Sequence, residues 1–474
     1  MTMTRGPSAA GAGEGTPEYL DAIARFVCTT RFEDLPAAVV ERTKHLLADL
    51  FAIVTAGNQS DEMRALAARY LADAPPGPSW VIGTRHRASA RDAGFLNGAA
   101  STWHDYDEGN TIAWSHPGSQ TFPAAFAAAQ ALGVSGRDLL LACVLGYEVC
   151  ARVGMAAQMR MSVHPHGTTG TIGSAVAIAR LKRFDEARVR SVVNVAATMA
   201  MTTNRQAMLD EATVRNVYSG HSALAGSLAV QLVDSGFTGQ RDGIGFTYGT
   251  VIADGFDPAR YVEGLGRDWL ILHGYFKLHP SGRYSHAAID ALQDALARPE
   301  SHSLDIDAIE RIEVKAFRMA ALLSGKKITT SFGAKFSIPF ALATILVHGK
   351  SGIGSFDLPA VQSPRVQALV AKIDVTEEPA YTGAYPDQQI CDVAIHLRGG
   401  RRVTGRCETM KGEPSDPHRP EDVRQKYFDL MTPVWGEARA ADLYRELLSL
   451  ENVSDMRTFG QQKSGSESDF LHVM

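Results

Sequence analysis

Residues 135–154 read SGRDLLLACVLGYEVCARVG. Ser135 with Asp138 three places later is a capping-box pattern, and the apolar run behind it opens a helix. Cys143 and Cys150 lie two helical turns apart in this run and read as small buried hydrophobes. Tyr147 reads first as a core tyrosine, with a proton-donor role as the alternative.

Upstream, Pro36 suits a first helical turn; Val40, Leu47, Leu50, Phe51 and Val54 fall on one side, and Gly57 closes the segment. Downstream, Ser174–Leu181, Val192–Met201 and His221–Val233 are rich in Ala, Gly, Ser and Val with little polar face, as in helices enclosed by other helices. The pattern is helical from Pro17 to about Leu270 and changes near Asp268–Trp269. A helix begins at His286. Ile309–Phe317 and Cys391–Leu397 read as strands, and Gly399-Gly400 turns the second into RRVTGRC. Helical segments return at Lys335–His348 and Arg365–Ala371, then from Pro420 to about Leu450, where the chain is expected to pack back on the first region. The fold class is therefore mainly α with a smaller α+β part.

The chain has 474 residues, enough for two domains or one large one. With 47 basic and 52 acidic side chains, net −5, it lacks the basic surplus of a nucleic-acid binder. At 45% hydrophobic and 21% charged it is not a disordered chain. Residues 1–16 hold one Arg and no apolar core, so they read as a disordered tail rather than a signal peptide. The uncharged stretches Pro117–Gly136 and Met161–Ala179 are broken by Pro, Gly, Ser, His and Gln, so no membrane span is expected. Five scattered cysteines without a CxxC pair fit a reducing, cytoplasmic setting.

Three polar segments interrupt this apolar background. Trp103-His104-Asp105-Tyr106-Asp107-Glu108, continuing to Ser115-His116-Pro117, supplies carboxylates and histidines for a base, an acid or a metal, or is a solvated loop. No HExxH or compact His/Cys set supports a metal, and none is expected. His164-Pro165-His166-Gly167-Thr168-Thr169-Gly170 runs into a helix whose free N–H groups suit a substrate carboxylate. The alternative is that its glycines permit close helix packing. It lacks the Gly-Lys-Ser/Thr ending of a phosphate loop and follows no clear strand. Phe276-Lys277-Leu278-His279-Pro280-Ser281-Gly282-Arg283 sits where the texture changes. Lys277 there is either a snorkelling surface lysine or, in a cleft between domains, a carboxylate clamp or proton carrier. Arg215, in ATVRNVYSGHSALAG, has the same ambiguity.

In this order, these segments resemble the MmgE/PrpD family, with 2-methylcitrate dehydratases, cis-aconitate decarboxylases and an iminodisuccinate epimerase among its members. GYEVCARVG, AKFSIPFALA (334–343) and KGEPSDP (411–417) add to the likeness, which covers nearly the whole chain after the tail. The resemblance implies a large all-helical domain from both chain ends (17–269 and 412–474), an α+β lid (270–411), a homodimer, and no metal or organic cofactor. It puts family site residues on Asp105, His116, His164 and Lys277. A family lysine falls on Arg215, which keeps the charge but not a titratable amine. A threonine after the aspartate falls near Gly109 or Thr111, one after the loop histidine falls on His166, and a cysteine falls near Ser281 and Gly282.

The implied chemistry is proton movement beside a carboxylate, which needs cations where charge develops. Arg215, Lys277, His166, His279 and the helix start after Gly170 are expected to bind substrate carboxylates. His164 or His116 is expected to be the base, oriented by Asp105, with His116 or Tyr147 as the second acid. The expected activity is that of a hydro-lyase on a small di- or tricarboxylate. A carboxy-lyase, an epimerase of an amino- or hydroxy-dicarboxylate, and a non-catalytic binding protein are the alternatives. Lys277 is expected within reach of the Asp105–His116 loop, with His164 bordering the same cleft.

Overall fold

The capping box forms as read: Ser135 Oγ accepts from Asp138 N–H at 3.2 Å, and Asp138 Oδ2 accepts from Ser135 N–H at 3.2 Å. The helix it opens runs Gly136–Ala156 and is long and apolar enough to cross a membrane by length and composition, contrary to the expectation that no segment would be. It is a core helix instead. Its Glu148 accepts from Ile271 N–H at 2.9 Å, and its Arg152 donates to Glu263 O at 2.5 Å and Asp268 O at 2.7 Å. A chain segment that crosses over the helix thus bonds to both side chains, which also face each other at 3.4 Å. Pro117–Leu132 and Thr169–Leu181 pack beside it. Glycine sets the approach: a Cβ on Gly173 would sit 2.7 Å from Gly146 O and 2.6 Å from Thr121 Oγ1.

The computed structural model describes residues 17–461 apart from 202, 302 and 303; the expected tail at 1–16 lies outside them. Among the described residues the apolar core has one small cluster around Val81 and Leu96 and two large parts. One joins residues from Tyr19 to Phe276 with residues from Tyr427 to Phe459. Phe459 meets Phe51 and Phe126 edge-on at 5.8 and 5.5 Å, and Lys426 pairs with Asp49 at 2.6 Å, so the helices Pro420–Trp435 and Glu437–Leu448 rest on Ala37–Gly57. The other joins residues from Ala287 to Met410.

The second core is built on a four-stranded sheet in the order Arg402–Cys407, Cys391–Leu397, Ile309–Ala316, Ile373–Glu377. The first two contacts are antiparallel, with Ala394 opposite Thr404 and Val314 opposite Val393; the last is parallel, with Val314 opposite Val375. Gly399 and Gly400 both take positive φ in the hairpin turn. The strand Ile373–Glu377 was not read from the sequence: Ile373 and Val375 alternate with Asp374 and Thr376, but the run is short and follows closely on the helix Pro364–Val370. The helix expected at Lys335 begins at Ile338, where Ser337 caps it.

Among the described residues the helical part also carries three two-stranded ladders that its composition hides. One positions the site: Gly109–Asn110 pairs with Gly274–Tyr275, tying the first polar segment to the chain just before Lys277.

Candidate active site

Asp105 sits at φ 50°, in the left-handed region, at the turn after the helix Ala90–Ser101. Its Oδ1 accepts from Arg215 Nη2 at 2.6 Å, and its Oδ2 from Lys277 Nζ at 3.0 Å. Lys277, 172 positions away, also donates to Asp105 O at 3.0 Å. All three side chains are buried. Burial alone would push the Asp105 carboxyl up; Lys277 and Arg215 outweigh it and hold it below its ordinary value. The expected closeness of Lys277 to this loop is therefore met.

Two residues on, Asp107 faces the histidines. Its Oδ2 lies 3.1 Å from His116 Nδ1 and 3.4 Å from His166 Nε2, and its Oδ1 is 3.8 Å from Lys277 Nζ. Burial opposes ionisation, but His116 and Lys277 keep this carboxyl well below its usual range. His116 Nδ1 also meets Glu108 O at 2.5 Å. With Nδ1–H donated to Glu108 O and Asp107 beside it as the facing charge, Nε2 is the nitrogen left to exchange a proton. The expectation that Asp105 orients the imidazole is thus corrected: Asp105 holds the cations, and Asp107 holds His116.

A cavity collects these groups where the two cores meet. Asp105, His116, His164, Arg215 and Lys277 line it from the side of the first core, while Arg283, Tyr284, Tyr385 and Gln389 line it from the side of the second. His164 borders the cleft as expected, but not as a ready base. Its Nδ1 accepts from His166 N–H at 3.1 Å, and its Nε2 faces Arg215 Nε at 3.4 Å. Burial and the Arg215 charge push its pKa well below the ordinary value. It holds Arg215 in place.

Four other expected contributors are set back from the cavity. Gly170 packs on Gln120, where a Cβ would come within 2.3 Å of the Gln120 Cβ, so the helix start is closed to a ligand. His166 is wholly buried, its ring 4.4 Å from that of His116 and 4.9 Å from that of His164, and burial lowers its pKa to about 3. Tyr147 lies beneath the site with its hydroxyl 3.5 Å from Glu108 Oε2, and burial raises it well above its usual value. His279 is buried against His286, with ring centroids 5.1 Å apart.

Asp107, His116 and His166 bring three ligand-type atoms within 4.8 Å of one another, a grouping their sequence spacing does not announce. They fit a metal poorly. A dication on Asp107 would face the Lys277 ammonium, and His116 Nδ1 already donates to Glu108 O.

Sequence reasoning missed the pair Arg283–Glu413. Arg283 binds Glu413 at 2.8 Å and lies over the Tyr275 ring, and Glu413 in turn accepts from Thr111 Oγ1 at 3.1 Å. Both residues sat in quoted segments, but nothing in their spacing joined them. Thr111 lines the cavity, whereas Gly109 is taken up by the ladder to Tyr275. Of the two residues near the absent cysteine, Gly282 lines the cavity and Ser281 is buried, bonded to Ser285.

The MmgE/PrpD N-terminal domain matches residues 21–253 and its C-terminal domain matches residues 279–451. The chain belongs to the MmgE/PrpD family. Among curated relatives, it is 25% identical to the cis-aconitate decarboxylase-like protein oryM of Aspergillus oryzae, over 94% of this chain and 97% of that protein. It is 23% identical to the cis-aconitate decarboxylase of Aspergillus terreus, over 90% and 91%. With the cis-aconitate decarboxylase of Mus musculus it shares 25% identity over 77% and 76%. The two named as cis-aconitate decarboxylases are lyases.

Proposed function

We propose that this chain is a lyase of small polycarboxylates, and that it cleaves a carbon–carboxylate bond in an unsaturated tricarboxylate of the cis-aconitate kind. The observation that carries the proposal is one cavity holding a cation pair on Asp105 beside an imidazole oriented by Asp107. Lys277 and Arg215 bind the substrate carboxylate on which negative charge accumulates. As the bond to the departing carboxylate breaks, carbon dioxide leaves and its electron pair passes into the adjacent conjugated system. The proton on His116 Nε2 then moves to carbon, and solvent restores it. Asp107 stabilises the imidazolium and fixes its ring. The names of the relatives agree with this reaction.

One proton carrier suffices for decarboxylation. Dehydration needs a second donor at the leaving hydroxyl, and Tyr147 is sequestered on Glu108. A hydro-lyase is the second reading, favoured by the phenols of Tyr284 and Tyr385 on the cavity wall. The test is carbon NMR of the purified protein with cis-aconitate, citrate and 2-methylcitrate. Bicarbonate released from cis-aconitate supports the first reading. Alkene formed from a hydroxy acid without bicarbonate selects the second, and no turnover of any polycarboxylate sinks both.

A further inference from the structure

The cavity is lined by four cationic side chains, and three of them already have protein carboxylates. Asp105 binds Arg215 and Lys277, and Glu413 binds Arg283. The fourth, Arg205, pairs with no carboxylate among the described residues. Its Nε is buried without a hydrogen-bond partner, and its Nη2 reaches only Val163 O, at 3.5 Å. Arg205 is half-buried on the cavity wall with its Nε shielded and unpartnered, so an anion in the cavity would complete its hydrogen bonding.

The backbone beneath it is fixed. Arg205 N–H donates to Ser162 O at 2.8 Å, Asn204 bridges Val163, and Thr203 Oγ1 donates to His164 O at 2.8 Å and His166 O at 2.6 Å. Arg205 is therefore anchored to the same seam as His164. Tyr385 lines the same cavity.

We infer that Arg205 is a specificity residue that binds a further substrate carboxylate, distinct from the one held by Lys277 and Arg215, so that the site prefers tricarboxylates to dicarboxylates. This rests on the proposed polycarboxylate reading and deepens it. The planar fork of arginine matches a carboxylate with two parallel hydrogen bonds, which lysine offers only as a point charge.

Titration calorimetry with unreactive probes tests it: tricarballylate, and its two dicarboxylate counterparts glutarate and methylsuccinate. Wild type is expected to bind tricarballylate most tightly. Arg205→Met should weaken that binding about 10- to 100-fold, the size of a charged hydrogen-bonded contact. It should leave at least one dicarboxylate within about twofold, and Arg205→Lys should fall between. If Arg205→Met leaves tricarballylate unchanged, or weakens all three probes alike, the role of Arg205 is overturned while the polycarboxylate reading stands. If wild type binds none of the three, the polycarboxylate reading itself fails and takes this inference with it.

Discussion

The segments 103–117 and 164–173 look alike in sequence: each is polar, carries histidine, and leads into an apolar helix. In the fold they diverge. The first becomes the charged floor of the cavity, because Arg215, Lys277 and His166 all converge on its two aspartates. The second is mostly packing: its glycine closes on Gln120, and its histidines are held neutral by burial. Chemistry settles where charges from distant segments meet, and local composition does not reveal that.

If this division is right, the largest loss comes from the first segment. Asp107→Asn should lower kcat/KM by about 10³- to 10⁴-fold, since an amide no longer holds the His116 tautomer or its positive form. Lys277→Met should follow at about 10²- to 10³-fold, the worth of about one donor on a developing anion. Steady-state kinetics on whichever polycarboxylate turns over checks both; an Asp107→Asn enzyme within tenfold of wild type would break the comparison.

The second segment should yield stability effects instead. Gly170→Ala places a methyl against Gln120 and should cost about 1–3 kcal/mol in denaturant unfolding, with activity following the folded fraction. A variant that folds normally but cannot bind substrate would return the helix start to the site.

Acid should destabilise the fold. His104, His166 and His279 are held at about 3, His418 at about 4, and His164 and His286 well below the usual value, in each case first by burial. A depressed folded pKa gives stability that is present above the unfolded value near 6.5 and lost as pH falls through the folded one. Glu108 and Glu148, raised to about 7, and Asp290, raised to about 6, act oppositely: their contribution is full below the unfolded carboxyl value and lost as pH rises through 6–7. His45 and His221 are lowered by burial in the same way, and Asp49 and Asp357 raised by it, so around pH 5 the unfolded chain gains more protons on imidazoles than the folded one holds on carboxyls, and below the carboxyl range the slope steepens. Unfolding free energy measured from pH 7 to 4 should fall, by about 1.4 kcal/mol per pH unit for each uncompensated proton. The smallest effect concerns metals: prolonged chelation should leave turnover unchanged, and a stoichiometric metal whose removal abolishes it would return Asp107, His116 and His166 to a ligand role.

Periodicity and caps made the helices legible, and the hairpin 391–407 announced itself through Gly399-Gly400. Ile373–Glu377 did not, because its short alternation follows directly on a helix and no turn signal sets it apart. Asp105, His116, His164, Arg215 and Lys277 were readable as site residues, and all line one cavity. Their partnerships were not: nothing in a linear sequence tells Asp105 from Asp107, two places apart, until Lys277 and His116 take one each. Arg205, alone in MTTNRQAML, had no local signal.

The central claim is that His116, held by Asp107, carries the proton and Lys277 carries charge. The pH dependence of kcat/KM for wild type, His116→Gln, Lys277→Arg and Lys277→Met tests it most directly. The account predicts that Lys277→Arg keeps part of the activity and the wild-type profile, Lys277→Met loses the activity, and the residual rate of His116→Gln lacks a limb present in wild type. If Lys277→Arg is as inactive as Lys277→Met while His116→Gln keeps every limb, Lys277 moves the proton and the assignment to His116 is wrong.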